Sequence, residues 1–161
     1  AAGSDLYRYS TFNHSKGNYT SVSGGIDYQR SFKNVKDRLL TFSYRIETDP
    51  NTSKNRISYS GMYADESWTD YLQRIKNQNV DGKQSSTEQT FQLDYTSPFA
   101  KHHTLETGAK YILRQNKSTN DKYDSPAGGN GEPTYDADNS SHFKHRNDIL
   151  AAYLGKARTA L

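Results

Sequence analysis

TFQLDYTSPFAKHHTLETGAKYILRQN, the stretch from Thr90 to Asn116, contains two runs in which apolar and polar residues alternate. A short segment at residues 97–103, which includes a proline, separates the two runs. Successive side chains of a β-strand point to opposite faces, so strict alternation predicts strands with one apolar and one polar face. The apolar face is predicted to hold Phe91, Leu93, Tyr95, Leu105, Ala109, Tyr111 and Leu113.

The composition agrees with exposed strands better than with disorder. The chain has 161 residues, a hydrophobic fraction of 32% and a mean hydropathy of −1.05, which is low for a soluble globular protein. Disordered chains are poor in aromatic residues, whereas aromatics make up 12% here. The net charge of +3 is too small and too evenly spread to indicate a nucleic-acid partner.

The alternation recurs along the chain and predicts one all-β segment, residues 1–161, built as an antiparallel meander of about six to seven long strands. Short polar connections are predicted at 33–37 and 49–54, and the Asn-, Ser- and Gly-rich residues 13–18 are predicted to end the first strand. Long loops are predicted at 64–86, with a short helix near 68–75, and at 117–141. The last strand is predicted at 142–154, with four residues on its apolar face: Phe143, Ile149, Ala151 and Tyr153.

Short and long connections alternate, which is typical of a transmembrane β-barrel with short turns at one end and long loops at the other. Such a barrel turns its apolar face to lipid and its charged face to a wet lumen. Aromatics at the membrane interfaces are then expected to include Tyr28, Phe32, Tyr44, Tyr95, Phe99, Tyr111 and Tyr153. A soluble β-sandwich or small barrel remains the alternative fold.

The turn-flanking pattern in FQLDYTSPFAKHHTLETGAKY resembles the outer-membrane β-barrel family related to TonB-dependent receptors of Bacteroidota. In that pattern an Asp-Tyr strand end precedes a Pro-hydrophobic turn, and the next strand opens with Leu-Glu-x-Gly-x-Lys. The matching positions here are Asp94, Tyr95, Pro98, Phe99, Leu105, Glu106, Gly108 and Lys110. GGIDYQRSFKNVKDRLLTFSYRI and FKHRNDILAAYLG resemble other strands of the same barrel.

The resemblance implies part of a nutrient-uptake receptor in the bacterial outer membrane. Receptors of this kind have a plug domain and about twenty-two strands, so we expect a barrel portion without its plug. Its expected partners are outer-membrane lipid, the rest of the barrel and a glycan or other nutrient, and the isolated piece is expected to self-associate. The residues expected to face the lumen are Asp94, Glu106, Lys110 and Arg114.

No motif indicates catalysis, a cofactor or a metal. The neighbours His102 and His103 would point apart on a strand, and so would His142 and His145, three residues apart. There is no nucleophile elbow and no phosphate-binding loop. We therefore expect a protein that is not an enzyme. Under the alternative fold, a soluble module would bind carbohydrate or a surface partner, and the aromatics that could stack on sugars are Tyr59, Tyr63, Trp68 and Tyr71.

Overall fold

A computed structural model describes residues 6–100, 103–129 and 131–158 of the chain. Almost all of them lie in strands, and the one helix has five residues. The elements in chain order are β1 Tyr7–Tyr19, β2 Val22–Ser31, β3 Leu39–Ala64, α1 Thr69–Gln73, β4 Lys76–Ala100, β5 His103–Pro126, β6 Thr134–Tyr135 and β7 Ser141–Arg158.

The strands form one antiparallel sheet with the order β1-β3-β4-β5-β6, in which β2 also pairs with β3 and β7 also pairs with β5. The sheet does not close on itself. The predicted all-β antiparallel fold is therefore confirmed. A sandwich would need a second sheet packed on the first, and the described residues form a single sheet, so the alternative of a soluble β-sandwich is wrong.

Both β1 and β2 pair with β3, and the register of β1 shifts once, between Arg8 and Ser10. Tyr19 lies opposite Asn51, and Val22 lies opposite Thr48. Between these pairs, the amide of Thr20 donates to the carbonyl oxygen of Pro50 at 3.1 Å. Proline has no N–H, so Pro50 cannot donate a second hydrogen bond to Thr20. The ladder is interrupted at this position, which separates β1 from β2.

Two predicted connections are strand instead. Residues 13–18 belong to β1, and residues 49–54 belong to β3. Their Asn, Ser, Gly and Pro content is typical of turns, but strand propensity is weak and depends on pairing partners. Each segment supplies the partner of the other: Asn18 lies opposite Thr52, and Gly17 opposite Ser53.

The two predicted long loops are shorter than expected, because paired strands occupy part of each predicted loop. Between β3 and β4, only residues 65–75 lie outside strands, and α1 occupies five of them, close to the predicted helix. β5 continues to Pro126, and the connection to β7 contains the short strand β6. The predicted strand at 142–154 lies within β7.

The turn between β2 and β3 lies at residues 32–38, as predicted. The amide of Val35 donates to the Phe32 carbonyl at 3.2 Å, and the amide of Arg38 donates to the Val35 carbonyl at 3.3 Å. Asp37 has a φ of 64°, a left-handed conformation that aspartate tolerates better than most residues. Of the predicted short turn at 97–103, residues 97–100 belong to β4 and His103 to β5, while residues 101–102 lie outside the described part of the chain.

The chain forms two compact units. Unit 1 comprises Ala1–Thr20, Pro50–Gln84 and Lys117–Phe143, and unit 2 comprises Ser21–Asp49, Ser85–Asn116 and Lys144–Leu161. Leu72 of α1 is the one buried hydrophobic side chain among the described residues, while many Tyr, Phe, Leu and Ile side chains are exposed. A sheet of this kind has no core of its own, so its apolar side chains need another apolar surrounding.

The register between β1 and β3 can be tested by a disulfide, because the chain has no cysteine of its own. Ser15 lies opposite Asn55 on one face of the sheet. We expect Ser15→Cys with Asn55→Cys to form an intrachain disulfide on mild oxidation, seen as a mobility shift on a non-reducing gel. Ser15→Cys with Lys54→Cys is the control, and it should not cross-link because those side chains point to opposite faces. Equal cross-linking of both pairs would show a flexible loop at 13–18.

Candidate functional site

Unit 2 contains a two-faced sheet, and the pairing of β2 with β3 defines both faces. Ile26 lies opposite Tyr44, and Tyr28 lies opposite Phe42. Opposite residues share a face, so apolar side chains of both strands gather on one side. We call this side the apolar face; on these two strands it holds Val22, Ile26, Tyr28, Leu40, Phe42, Tyr44 and Ile46.

Ring contacts extend the apolar face onto β4 and β5. The ring of Tyr44 lies 4.8 Å from that of Phe91, and Phe91 lies 6.2 Å from Tyr111. Side chains two residues away along a strand share a face, which adds Leu93, Tyr95, Ala109 and Leu113. The alternation that the sequence predicted for β4 and β5 therefore corresponds to one continuous surface.

The residues between the apolar ones form a polar face on the other side of unit 2. Arg45 of β3 donates to Asp27 of β2 at 2.6 Å, and Arg114 of β5 donates to Glu88 of β4. All four side chains are about half exposed. Exposed ion pairs contribute little stability, so these charges mainly set the character of the surface.

The four predicted lumen residues all belong to this polar face. Asp94 and Lys110 line one cavity of about 210 Å³. Glu106 and Arg114 lie an even number of residues from Lys110 along β5, and therefore point to the same side. The structure thus brings the four together on one surface, with Asp94 on β4 and the others on β5.

Tyr153 of β7 lies on the polar face. Its hydroxyl donates to Asp94 Oδ1 at 2.8 Å, and its ring lies over Gly108. A Cβ built at Gly108 would be 2.5 Å from both Asp94 Oδ1 and the Tyr153 ring, so only glycine leaves room for this contact. The prediction that Tyr153 belongs to the apolar face and to an interfacial ring of aromatics is wrong.

The error has a physical cause in β7. Apolar residues occur at odd-numbered positions of this strand, Ile149 and Ala151, and also at even-numbered positions, Leu150 and Leu154. Alternation alone therefore does not show which side of β7 belongs to the apolar face. The Tyr111 hydroxyl, on the apolar face, donates to Asp148 at 3.1 Å, which places the even-numbered residues of β7 on that face. Leu150 and Leu154 are accordingly each 76% exposed.

In unit 1, two side chains of like charge meet across the strands, because Lys16 lies opposite Lys54. Such pairs are destabilising unless water screens them. These strands are therefore suited to an aqueous surrounding.

An aromatic cluster joins α1 to β1 in unit 1. The ring of Tyr7 lies 5.0 Å from Trp68 and 5.4 Å from Tyr71, and Trp68 lies 5.8 Å from Tyr71. Of the four predicted sugar-stacking residues, the structure brings together Trp68 and Tyr71. Tyr59 contacts Tyr9 at 5.5 Å, and Tyr63 lies below the guanidinium of Arg8 at 5.6 Å.

Lys122 holds the connection between β5 and β7 in unit 1. Its ammonium lies 2.9 Å from Asp136 and 3.4 Å from Asp124, and Asp136 also accepts bonds from Asn139. The hydrogen bond from Lys122 lowers the pKa of Asp136 below its ordinary value of 3.8, and the same bond raises the pKa of Lys122.

His142 pairs with Asp121 at 2.8 Å, while His102 lies outside the described residues. No group of three or more metal-ligating side chains occurs in the part of the chain that the structure describes.

Comparison with known proteins identifies the family. The outer membrane protein β-barrel family matches residues 30–159, which is most of the chain. The chain belongs to this family. No curated protein matches it. None of the helices in the described ranges is long and apolar enough to cross a membrane.

Family membership places the protein in the bacterial outer membrane, as the sequence predicted. The match covers the predicted turn-flanking pattern and parts of both units, whereas β1 and most of β2 precede it.

The contact among Gly108, Asp94 and Tyr153 can be tested with a matched pair of glycine variants. Gly108→Ala should destabilise the protein by about 1–3 kcal/mol, because the new methyl group overlaps neighbouring side chains. Gly24→Ala is the control, since a Cβ at Gly24 has no atom within 4 Å. Urea unfolding in detergent, followed by circular dichroism, measures the difference. Equal midpoints for the two variants would contradict the close approach at Gly108.

The ion pair of Lys122 predicts a pH dependence for the segment 127–140. Because the pKa of Asp136 is lowered in the folded protein, its stabilising effect is complete above pH 3.8 and is lost as pH falls through the lowered value. We expect the amides of Asn139 and Ser140 to be protected from hydrogen exchange near neutral pH and to lose that protection in acid. Asp136→Asn should remove the dependence. A pH-independent exchange rate, corrected for intrinsic chemistry, would contradict it.

Proposed function

We propose that this chain forms part of the wall of a nutrient-uptake receptor related to TonB-dependent receptors, and that its role is not catalytic. The observation that carries the proposal is the two-faced sheet of unit 2 in a chain that belongs to an outer-membrane barrel family. Each face fits a different surrounding. On β2 to β5 the apolar face fits lipid, whereas on β7 the same side carries the ion pair of Arg146 with Asp148. The polar face fits a water-filled lumen.

The length of the apolar face supports its contact with lipid. On β3 the alternating apolar residues run from Leu40 to Ile46, and Thr48 ends the series. At a rise of roughly 3.3 Å per residue, the span from Leu40 to Thr48 is about 26 Å along the strand. A tilt of roughly 35–45° reduces this length to about 20 Å along the membrane normal, which is most of the apolar band of roughly 25 Å seen on outer-membrane barrels.

The polar face supports passage of a hydrated solute. Its side chains carry both signs of charge, with Asp27, Glu88 and Asp94 beside Arg45, Lys110 and Arg114. Two cavities on this face share Arg45 and Glu88, with volumes of about 480 Å³ and 370 Å³. Both are lined by charged and hydroxyl side chains, a surface that exchanges hydrogen bonds with a polar solute.

The two edges of the sheet support a larger barrel as the natural setting. The order of strands leaves β2 and β7 each paired with one described strand in unit 2. In lipid an unpaired backbone N–H or C=O group costs several kcal/mol. We propose that further strands of a parent barrel pair with both edges, and that the isolated piece self-associates through them.

Contact with a glycan stays a prediction for Trp68 and Tyr71. The rings of these two residues contact each other and Tyr7, which fastens α1 to β1. Tyr71 is nevertheless 45% exposed and offers part of its ring to a ligand.

Cysteine labelling tests the assignment of the two faces. Phe42→Cys lies on the apolar face and Ser43→Cys on the polar face of the same strand. In intact outer membranes, we expect a charged maleimide to label Ser43→Cys at least ten times faster, because thiols in lipid react poorly and water is absent there. Denaturation in detergent should make the two rates similar. Equal rates before denaturation would contradict the lipid-facing assignment.

The same variant also tests uptake. A deletion strain first identifies the nutrient that it fails to import. If the polar face lines a lumen, a bulky maleimide on Ser43→Cys should lower energy-dependent uptake of that nutrient. Unmodified Ser43→Cys and modified Phe42→Cys serve as controls. If deletion impairs the import of no nutrient in a broad panel, the uptake proposal is wrong, whereas the labelling result still reports on the faces.

A further inference from the structure

Cations and aromatic rings meet at one end of the apolar face, beside the turn at residues 32–38. The guanidinium of Arg30 lies 5.3 Å from the centre of the Phe32 ring, and that of Arg38 lies 6.0 Å from the same ring. The ammonium of Lys156 lies 5.6 Å from the Phe99 ring. These five residues, all in unit 2, are called the basic rim.

Register and contacts place the basic rim on the apolar face. Arg30 lies opposite Leu40, which belongs to that face. Phe99 lies an even number of residues from Phe91 along β4, and Lys156 an even number from Leu154 along β7. The cations therefore lie at the end of the apolar face and are not part of the polar face.

The cations of the basic rim are not neutralised by carboxylates. Six ion pairs occur in the described part of the chain, and none contains Arg30, Arg38 or Lys156. Arg38 donates a hydrogen bond from Nε to Ser97 at 3.1 Å. The adjoining turn adds Lys33 and Lys36 against a single acid, Asp37, so this end of unit 2 is strongly basic.

We propose that the basic rim binds the phosphate groups of phospholipid headgroups, in the bilayer leaflet that adjoins the turn between β2 and β3. The inference rests on the proposed contact of the apolar face with lipid. A cation at the end of a lipid-facing stripe lies at the depth of the headgroups, where long side chains extend their charge into the interface. Aromatic rings beneath the cations anchor at the same depth.

The geometry favours a headgroup over free phosphate. A free anion is held in a cradle of donors, whereas the described cations of the rim are spread along the end of an open face, on β2, on the turn before β3 and on β7. Guanidinium groups bind phosphate with two parallel hydrogen bonds, and each bound lipid would also lay its acyl chains on the adjacent apolar side chains. A phospholipid thus contacts both the cations and the apolar side chains, whereas free phosphate contacts only the cations.

The test measures the lipids in contact with the full-length protein in vesicles. Spin-labelled phosphatidylglycerol and phosphatidylcholine each report the fraction of lipid that the protein surface immobilises. We expect selectivity for the anionic lipid, falling roughly threefold for each cation removed at moderate ionic strength. The test variant is Arg30→Gln, Arg38→Gln and Lys156→Gln together.

Three further variants control for folding and for net charge. Arg30→Gln with Lys156→Gln keeps the bond from Arg38 to Ser97, so it loses selectivity without disturbing a buried hydroxyl. Arg30→Lys with Arg38→Lys keeps the charge and should retain most of the selectivity. Lys16→Gln, Lys54→Gln and Arg56→Gln together remove the same charge from unit 1 and should change nothing.

The outcomes separate this inference from the proposed function. Immobilised lipid without preference for phosphatidylglycerol, or equal loss in the unit 1 variant, would overturn the basic rim alone. Absence of any immobilised lipid would overturn the lipid-facing assignment itself. If inorganic phosphate abolishes the selectivity at constant ionic strength, the rim is a free-phosphate site and the headgroup proposal is wrong.

Discussion

Both faces of the sheet in unit 2 are uncovered, so the register between strands decides what the molecule presents to its surroundings. The pairing of Ile26 with Tyr44 and of Tyr28 with Phe42 gathers the apolar side chains on one side. A slip of one residue would bring Asp27 and the charges beside it to that side. A charged residue at the midplane of a bilayer costs roughly 2–4 kcal/mol. In lipid, the observed register is therefore favoured by its own hydrogen bonds and also because a shifted register would place charged side chains in the bilayer.

The alternation of residues was enough to predict the all-β fold and the faces of β4 and β5 between Phe91 and Leu113, because most apolar residues of this stretch share one parity. It failed on β7, where Leu150 and Tyr153 both belong to apolar series, and contacts with β5 decide which side is polar. Turn composition predicted the connection at 33–37 but misassigned residues 13–18 and 49–54. Those segments pair with each other across the sheet, and no local pattern records a partner that lies far away in sequence.

The two units use the same secondary structure with different side chains. Unit 2 separates apolar from polar side chains, whereas unit 1 brings Lys16 opposite Lys54. Unit 1 obtains its tertiary contacts differently, from the rings around Trp68 and from the ion pairs of Lys122. The face of the four charged candidate residues could be predicted from the alternation. The contact of Trp68 with Tyr7 could not, because it depends on where α1 packs against β1.

The contact of Tyr153 with Gly108 and Asp94 also constrains how this sequence can change over time. The ring lies where a side chain at 108 would extend, and its hydroxyl bonds to the carboxylate of residue 94. A descendant that acquires a larger residue at 108 needs a smaller one at 153, which in turn leaves the carboxylate without its donor. The three positions lie on three different strands, so the sheet makes them evolve as one group. Their joint variation among relatives would preserve a record of this strand order.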